Sequence, residues 1–452
     1  MTFSNAIKTT MTETKNPLLD LSDLIDYASV KPEHVAPAVD FWSAKLEAAL
    51  AAATAPETPA TWEAVVEPLE NAVLDFSRAW GVVGHLQSVV DTPALRDAYN
   101  AALPKVTELF IRLSQDEALF AKYRAIEASP EFAALSAVRQ RIVKREIRDF
   151  VLSGAALPAE KRERVMAIGQ ALSQTSQKFS ENLLDATNAF ELVIDDKAKL
   201  AGIPEETLAL YEASAKAAGK SGWRITLQFP SYLPAMKYCE DRSIRETLYR
   251  AFSTRAAEFD GARFDNTPLM TEILKLRGEE ASLLGFKNYA ALSLETKMAE
   301  SPEAVLTFLR DLARRAKPKA QADVEEVNEF ARRELNLETV EPWDRPYASE
   351  KLRESRYSYS DAEVKRYFTE PTVFAGLFKL VETLFGIEIN EAKASVWHPD
   401  VKYFEVKRNG EKIAAFYADL YAREGKRSGA WMDGERTRTI RAGRLVTPVA
   451  YL

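Results

Sequence analysis

The side chains that could hold a catalytic metal are few in this sequence, and their spacing argues against a histidine-based site. A catalytic zinc ion is often bound by two histidines four residues apart on a helix, with a glutamate between them as the base. The chain has three histidines, His34, His85 and His398, and no two lie within fifty residues of each other. We predict structural roles: His34 caps or packs at a helix start, His85 is a satisfied helix residue, and His398 makes a hydrogen bond beside Asp400. A site made of carboxylates alone stays open, but no motif indicates one.

Two further motifs could carry chemistry, and neither fits its pattern. The stretch Gly219–Ser221 resembles part of a phosphate-binding loop, but that motif needs a glycine at position 214, which is Ser214 here, and it should follow a strand. Cys239 has no histidine near it in the sequence, so we predict a buried helix residue rather than a nucleophile. The residues alone therefore assign no catalytic side chain.

Composition limits the class of protein and its partners. The net charge of −7 argues against a general nucleic-acid-binding surface. No stretch approaches 18 consecutive apolar residues, so we predict no membrane span and no membrane partner. A single cysteine excludes an intrachain disulfide and favours a cytoplasmic location.

Hydrophobic spacing predicts a mainly α fold. Between residue 17 and about residue 220, apolar side chains recur every three, four and seven residues, which is typical of packed antiparallel helices. We predict a disordered N-terminal extension at residues 1–16, an N-terminal helical domain at residues 17–222, and a second unit at residues 223–452. The second unit begins with helices and ends in a small antiparallel sheet.

The end of the sequence predicts strands. Asn409-Gly410 between two alternating stretches predicts a hairpin. The stretch "GRLVTPVAYL" then reads as a third strand of the same meander. Because Pro448 is typical of an edge strand, we expect this last strand to present an open edge and to be less protected than the N-terminal helices.

A stretch with two glycines follows the hairpin. "YADLYAREGKRSGAW" runs from Tyr417 to Trp431 and contains Gly425 and Gly429. Glycines after a strand allow close approach to another chain or a ligand. From spacing alone, an ordinary strand-to-loop turn is the better interpretation.

Many separate stretches resemble one known family in the same order along the chain. From about Asn16 to Leu452 they resemble the thimet oligopeptidase and neurolysin family of zinc metallopeptidases, which includes the bacterial oligopeptidase A enzymes. The matching stretches are "PEHVAPA", "RDFVLSGAALP", "FSENLLDATNAF", "PSYLPAMKYC", "YRAFSTRA", "LLGFKNYAALSLETKMA", "VWHPDVKYFEV" and "FYADLYAREGKRSGAWMD".

The resemblance implies a two-lobed helical metallopeptidase fold around a deep channel, with a small sheet beside zinc at the channel floor. In that family the strand that resembles "PVAYL" leads towards an H-E-x-x-H motif, and the 452 residues contain no such motif. We therefore expect a truncated fold, in which residues 223–452 are the first, incomplete part of a catalytic domain. No catalytic residue and no metal ligand is carried over.

The resemblance also implies an activity, the zinc-assisted hydrolysis of short peptides, with zinc as the cofactor of the intact family member. We expect this chain alone to bind no zinc and to be inactive, and its partners to be short peptides and a complementary C-terminal half. The alternative is a non-catalytic peptide-binding or scaffold protein derived from that family. The substrate-cleft residues carried over are Arg423, Glu424, Gly425, Lys426, Gly429 and Tyr451.

Overall fold

The computed structural model describes residues 16–259, 261, 263–358, 361–441 and 443–452, and for residues 361 and 362 it describes the backbone only. Residues 1–15 of the predicted extension lie outside the described residues. Asn16 itself is folded: its Nδ2 donates to the His34 carbonyl at 2.9 Å, and its Oδ1 accepts from the Leu18 amide at 3.0 Å.

The described residues form a mainly helical structure, as the hydrophobic spacing predicts. The helices are α1 (Val35–Thr54), α2 (Glu67–Val89), α3 (Pro93–Ser114), α4 (Glu117–Ala128), α5 (Ala137–Leu152), α6 (Ala159–Ala189), α7 (Glu205–Ala217), α8 (Phe229–Tyr238), α9 (Arg242–Ser253), α10 (Thr267–Leu283), α11 (Tyr289–Leu294), α12 (Pro302–Leu335), α13 (Arg345–Tyr357), α14 (Asp361–Lys365) and α15 (Glu370–Phe385). No helix among the described residues is both long and apolar enough to cross a membrane.

Local capping sets several helix ends. The side chains of Thr92, Asp116 and Ser136 each accept a hydrogen bond from the amide three residues later, at 3.3, 2.7 and 3.3 Å, and so begin α3, α4 and α5. Gly154 follows the end of α5 with φ of +88°, a left-handed conformation that glycine adopts without strain. Pro158 then precedes α6.

Nine strands form three sheets among the described residues. The strands are β1 (Glu191–Ile194), β2 (Trp223–Thr226), β3 (Glu388–Ala392), β4 (Lys402–Arg408), β5 (Glu411–Ala418), β6 (Asp433–Arg436), β7 (Thr439–Arg441), β8 (Arg444–Val446) and β9 (Val449–Tyr451). The main sheet has the order β3-β4-β5-β9-β6, and two antiparallel pairs, β1-β2 and β7-β8, stand apart. The predicted hairpin is confirmed: β4 and β5 pair around Asn409 and Gly410, whose φ angles are +53° and +80°.

The expectation of an open edge at the last strand is wrong. β9 lies between two partners, parallel to β5 and antiparallel to β6. The stretch predicted as one strand is two, because residues 444–446 pair back onto β7 while residues 449–451 enter the main sheet. Pro448 lacks an amide but still contributes to the ladder, since its carbonyl accepts from the Ala415 amide at 3.0 Å. The last strand is therefore an interior strand of the sheet.

One hydrophobic core joins the first helices to the main sheet. Buried side chains of α1 to α5 pack in the same cluster as Tyr403, Tyr417, Val449 and Tyr451 of the sheet. Tyr27, which precedes α1, lies at the junction, and its hydroxyl is 2.5 Å from that of Tyr451. A second cluster is formed by side chains between residues 200 and 248. The domain boundary near residue 222 stays a prediction, since side chains from both sides of it share the first core.

Candidate functional site

A large cavity lies where α2, the start of α8 and the main sheet meet, and we call it the cleft. Its volume is about 970 Å³. This size is within the range typical of ligand-binding cavities. One wall is the connection from β5 to β6, and the other includes residues 227–230 with Phe252 and Arg255. His85 and Val89 of α2, together with Tyr451 and Leu452, complete its lining.

Asp419 organises the first half of the connection that forms this wall. The Arg423 guanidinium donates to both carboxylate oxygens of Asp419, at 2.6 and 2.8 Å, and the Trp397 indole donates to Oδ2 at 2.9 Å. The Lys426 ammonium lies 3.0 Å from Oδ1. Burial alone would raise the pKa of Asp419, but these hydrogen bonds outweigh it and lower the pKa to about 2. Asp419 is therefore ionised at neutral pH.

The same half of the connection docks on the C-terminal end of α2. The last carbonyls of a helix have no partner within it. Here the Val89 carbonyl accepts from Arg423 Nη2 and the Ser88 carbonyl accepts from the Arg427 amide, each at 2.8 Å. Positive charge at this end also interacts favourably with the helix dipole. The first half of the connection is thus anchored on the C-terminal end of α2, whose last carbonyls it binds.

Gly425 permits this docking because of its missing side chain. Its φ is +75°, and a Cβ placed there would lie 2.8 Å from the Asp91 carbonyl oxygen. The Asp91 amide donates to the Gly425 carbonyl at 2.9 Å. Any larger residue would separate the two backbones at this point.

His85 forms the floor of the cleft and is buried as a neutral ring. It stacks on Tyr451, with ring centroids 3.6 Å apart, and meets the edge of Trp397 at 4.3 Å. Burial lowers the pKa of His85 to about 3; Asp419 opposes this change, whereas Lys426 adds to it. Its Nε2 is buried and has no hydrogen-bond partner among the described residues. The prediction of a satisfied helix histidine is therefore wrong for this nitrogen.

The second half of the connection is exposed and unpaired. Between Ser428 and Met432, no backbone amide or carbonyl makes a main-chain hydrogen bond within the part of the chain that the structure describes. This segment leads directly into β6, the edge strand of the main sheet. We call residues 428–432 the free segment. Unpaired backbone beside a sheet edge is a ready partner for another extended chain.

The opposite wall of the cleft supplies apolar surface and one cation. Phe229 is largely exposed at the start of α8. The Arg255 guanidinium donates to the Thr187 hydroxyl at 3.1 Å and to the Phe252 carbonyl at 2.9 Å. Burial lowers the pKa of Arg255, and no described carboxylate forms an ion pair with it. The cleft therefore combines apolar contact area with a cation that has no counterion among the described residues.

Comparisons with known proteins match this arrangement to a family. The profile described as Peptidase family M3 matches residues 235–452, and the one described as Neurolysin/Thimet oligopeptidase, N-terminal domain, matches residues 42–162. Oligopeptidase A of Salmonella typhimurium is 43% identical over 442 residues, and that of Escherichia coli is 42% identical over the same length. Residues 235–452 therefore belong to a peptidase family M3 domain, and residues 42–162 to an N-terminal domain of the neurolysin and thimet oligopeptidase type.

The matched region is nearly the whole of this chain but a smaller share of each relative. For both bacterial proteins it includes 97% of this chain and 65% of the relative. A probable cytosolic oligopeptidase A of Arabidopsis thaliana is 40% identical over 93% of this chain and 61% of its own length. The chain thus spans less than two thirds of the M3 relatives that it matches.

The described residues do not fit the zinc ion of an M3 metallopeptidase. No three of the described His, Cys, Asp and Glu side chains lie together in a group that could hold a metal ion. His34 Nδ1 accepts from the Lys31 amide at 3.2 Å, His85 is enclosed by aromatic rings, and His398 Nδ1 accepts from the Asp400 amide at 3.3 Å. Cys239 is buried, and burial raises the pKa of its thiol to about 11. We assign no metal-dependent step to these residues.

The structure places the six predicted cleft residues in two groups. Arg423, Lys426, Gly429 and Tyr451 line the cleft, whereas Glu424 and Gly425 lie on the connection without being among its lining residues. Their role in binding stays a prediction.

Sequence reasoning missed Asp419, His85 and the wall at residues 227–230. Asp419 had one local signal, an acid at a strand end four residues before an arginine. The other two had none, because they reach the cleft only through the fold.

Proposed function

We propose that this chain forms the peptide-binding floor of an M3 peptidase that hydrolyses short peptides. The observation that carries the proposal is the free segment, an unpaired stretch of backbone that lines a cavity of about 970 Å³ beside a sheet edge. An extended peptide adds to such a backbone by main-chain hydrogen bonds, which bind many sequences alike. The deep cleft would admit an unfolded segment and exclude a folded domain.

The charges around the cleft suggest how a peptide would be oriented. Arg255 on one wall and Arg427 on the other line the cleft, and no ion pair between either of them and a described carboxylate is present. Arg423 and Lys426, by contrast, are already bound to Asp419. We propose that the two unpaired guanidinium groups attract a carboxylate of the peptide, either an acidic side chain or the C-terminus.

We further propose that these 452 residues bind peptides without cleaving them on their own. Zinc would polarise the scissile carbonyl and activate water in an intact enzyme. The support here is the histidine spacing, since three histidines more than fifty residues apart do not supply a helical ligand pair. The alternative, a non-catalytic peptide-binding or scaffold protein, rests on the same cleft. A cytoplasmic location is proposed from the single cysteine.

The partner that would complete such an enzyme has a candidate docking surface on α15. Val373, Leu377, Leu380 and Leu384 follow one another at spacings of four, three and four residues and are 45–66% exposed. An adjacent side of α15 packs Phe374 on Phe404 of the sheet, with ring centroids 5.5 Å apart. We propose that a complementary C-terminal part of an M3 peptidase covers this stripe, which otherwise leaves apolar side chains in water.

Peptide binding can be tested with the purified chain and labelled peptides of about eight residues. Fluorescence anisotropy should show saturable binding of the peptides and none of a folded protein of similar charge. Ala430→Pro removes an amide from the free segment and should weaken binding about tenfold, the effect of a main-chain hydrogen bond together with local distortion. Ala430→Ser keeps the amide and serves as the matched control. Equal affinity of both variants would contradict binding through this segment.

Catalysis is tested on the same samples. We expect intact peptide after prolonged incubation with zinc, as followed by mass spectrometry. Cleavage that a chelator abolishes would refute the proposal that the chain alone is inactive.

Light scattering tests the exposed apolar stripe of α15. The wild type should self-associate with rising concentration, and Leu380→Lys should remain monomeric.

A further inference from the structure

A second cavity adjoins the cleft, and none of the six predicted cleft residues lines it. Its volume is about 310 Å³, and it shares His85, Arg427 and Trp431 with the lining of the cleft. The rest of its lining comes from α2 around Trp80, from Tyr99 of α3, from the C-terminal half of α6 around Glu181, and from the start of β6. Because three residues line both spaces, a peptide on the free segment would pass within one side chain of this cavity.

Glu181 places a buried carboxylate in this second cavity, and it has no ion-pair partner among the described residues. The side chain is 6% exposed. Its Oε1 accepts from the amides of Asn100, at 2.7 Å, and Gln177, at 3.1 Å, and both donors are neutral. Among the described residues no Lys, Arg or His forms an ion pair with Glu181, and its Oε2 accepts no hydrogen bond. A buried charge without a counterion is costly, so this arrangement favours a cationic ligand.

Aromatic rings form the rest of a cation-binding environment. Trp80 and Tyr99 stack with their ring centroids 4.6 Å apart, and both line the second cavity. Trp431 lies at the boundary with the cleft, and the Arg427 guanidinium already rests 4.7 Å from its ring centroid. Tryptophan and tyrosine faces attract ammonium and guanidinium groups. Since Arg427 is exposed whereas Glu181 is buried, the enclosed part of the cavity carries the negative charge.

We propose that the second cavity binds a cationic group of the peptide in the cleft, held by Glu181 and by the faces of Trp80 and Trp431. The inference rests on the proposed peptide binding and adds a preference to it. The cation is the side chain of an arginine or lysine, or the N-terminal ammonium. Together with the unpaired arginines of the cleft, this cavity selects peptides that carry both charges.

The test compares octapeptides that differ by one charge. A single arginine is moved along an alanine and glycine octapeptide, and each peptide is matched by one with citrulline, which has the same shape and no charge. All are acetylated, and a further pair compares acetylated and free N-termini. Affinities are measured by anisotropy on the wild type, on Glu181→Gln and on the control Glu163→Gln, an exposed glutamate of the same helix.

The wild type and Glu163→Gln should bind arginine at one or two positions, or the free N-terminus, at least tenfold more tightly than the neutral match. Glu181→Gln should lose this preference while its affinity for the citrulline peptides stays unchanged, which also shows that the variant is folded. No preference for either cation in the wild type, or a preference that persists in Glu181→Gln, would overturn the inference.

A separate probe distinguishes this inference from the proposed function. If no peptide binds, the proposed function fails, and binding of N-acetyl-arginine amide is then measured by calorimetry on the same three proteins. Binding that is lost only in Glu181→Gln would still support a cation site. The absence of binding to the wild type would overturn it.

Discussion

Replacing His85 by phenylalanine should remove a loss of stability that we expect of the wild type in mild acid. His85 is 6% exposed, and its pKa is about 3, against an ordinary value of 6.5. Below pH 6.5 the unfolded chain takes up a proton on this residue, whereas the native state does not until about pH 3. His85 therefore does not lower the free energy of unfolding above pH 6.5. As the pH falls from 6.5 towards 3, the free energy of unfolding decreases because only the unfolded chain is protonated at this residue.

The magnitude follows from the two pKa values. Each pH unit between them is equivalent to about 1.4 kcal/mol, so lowering the pH from 7 to 5 should cost the wild type about 2 kcal/mol through His85 alone. Phenylalanine keeps a ring against Tyr451 and Trp397 and cannot be protonated. Its slightly larger ring changes stability at both pH values, so the difference between the two is the quantity that reports on His85.

Urea unfolding followed by circular dichroism at pH 7 and pH 5 provides the measurement. Other titrating groups contribute equally to wild type and variant, so the difference in pH dependence isolates His85. His398→Gln serves as the control, since this histidine lies at the surface beside Asp400 and its removal leaves His85 in place. If His85→Phe loses as much stability as the wild type between pH 7 and pH 5, the description of a buried neutral histidine is incorrect.

Three further changes have expected outcomes. Glu146→Gln should stabilise the protein in urea unfolding by about 1–2 kcal/mol at pH 8 but not at pH 4.5. Burial and nearby carboxylates raise the pKa of Glu146 to about 7, so the wild type loses stability as the pH rises towards that value, and the partial exposure of the side chain limits the effect. Gly425→Ala should lower thermal stability by more than about 1 kcal/mol and weaken peptide binding, since its Cβ would meet the Asp91 carbonyl. Arg78→Met should cost up to about 3 kcal/mol in thermal unfolding, because the buried Glu435 would keep only Arg436, 3.7 Å away, as a charge partner, and Glu435→Leu added to it should recover much of this loss.

Features set by neighbouring residues were predictable from the sequence. The hairpin at Asn409-Gly410 needs two positive φ angles, and these two residues adopt them with little strain. The end of α5 at Gly154 has the same local cause. Each depends on a few consecutive residues, so the sequence pattern contains the whole reason for the structure.

The arrangement of the last strands could not be predicted in this way. Alternation identified residues 449–451 as a strand but gave no information about its partners. The parallel pairing with β5 requires the chain to leave the sheet, form β6 on the far side and the β7-β8 pair, and then return between β5 and β6. Tyr27 supports this position from a segment more than four hundred residues away, through contact with Tyr451. Pairing over such distances is decided by the packed core.

The candidate cleft depends both on consecutive residues and on contacts between distant parts of the chain. The family resemblance identified the connection after β5, including Arg423 and Gly429, as part of a substrate cleft, whereas spacing alone favoured an ordinary turn, and both treated it as one loop. The structure divides it, because the carbonyls at the end of α2 bind its first half up to Arg427, whereas residues 428–432 make no main-chain hydrogen bond within the described part of the chain. The anchored half holds Arg423 and Lys426 in ion pairs with Asp419, and the free segment beyond it keeps its backbone available. Where α2 ends in space therefore determines which residues of the connection have a free backbone for the proposed peptide, and no property of the connection's own sequence contains that information.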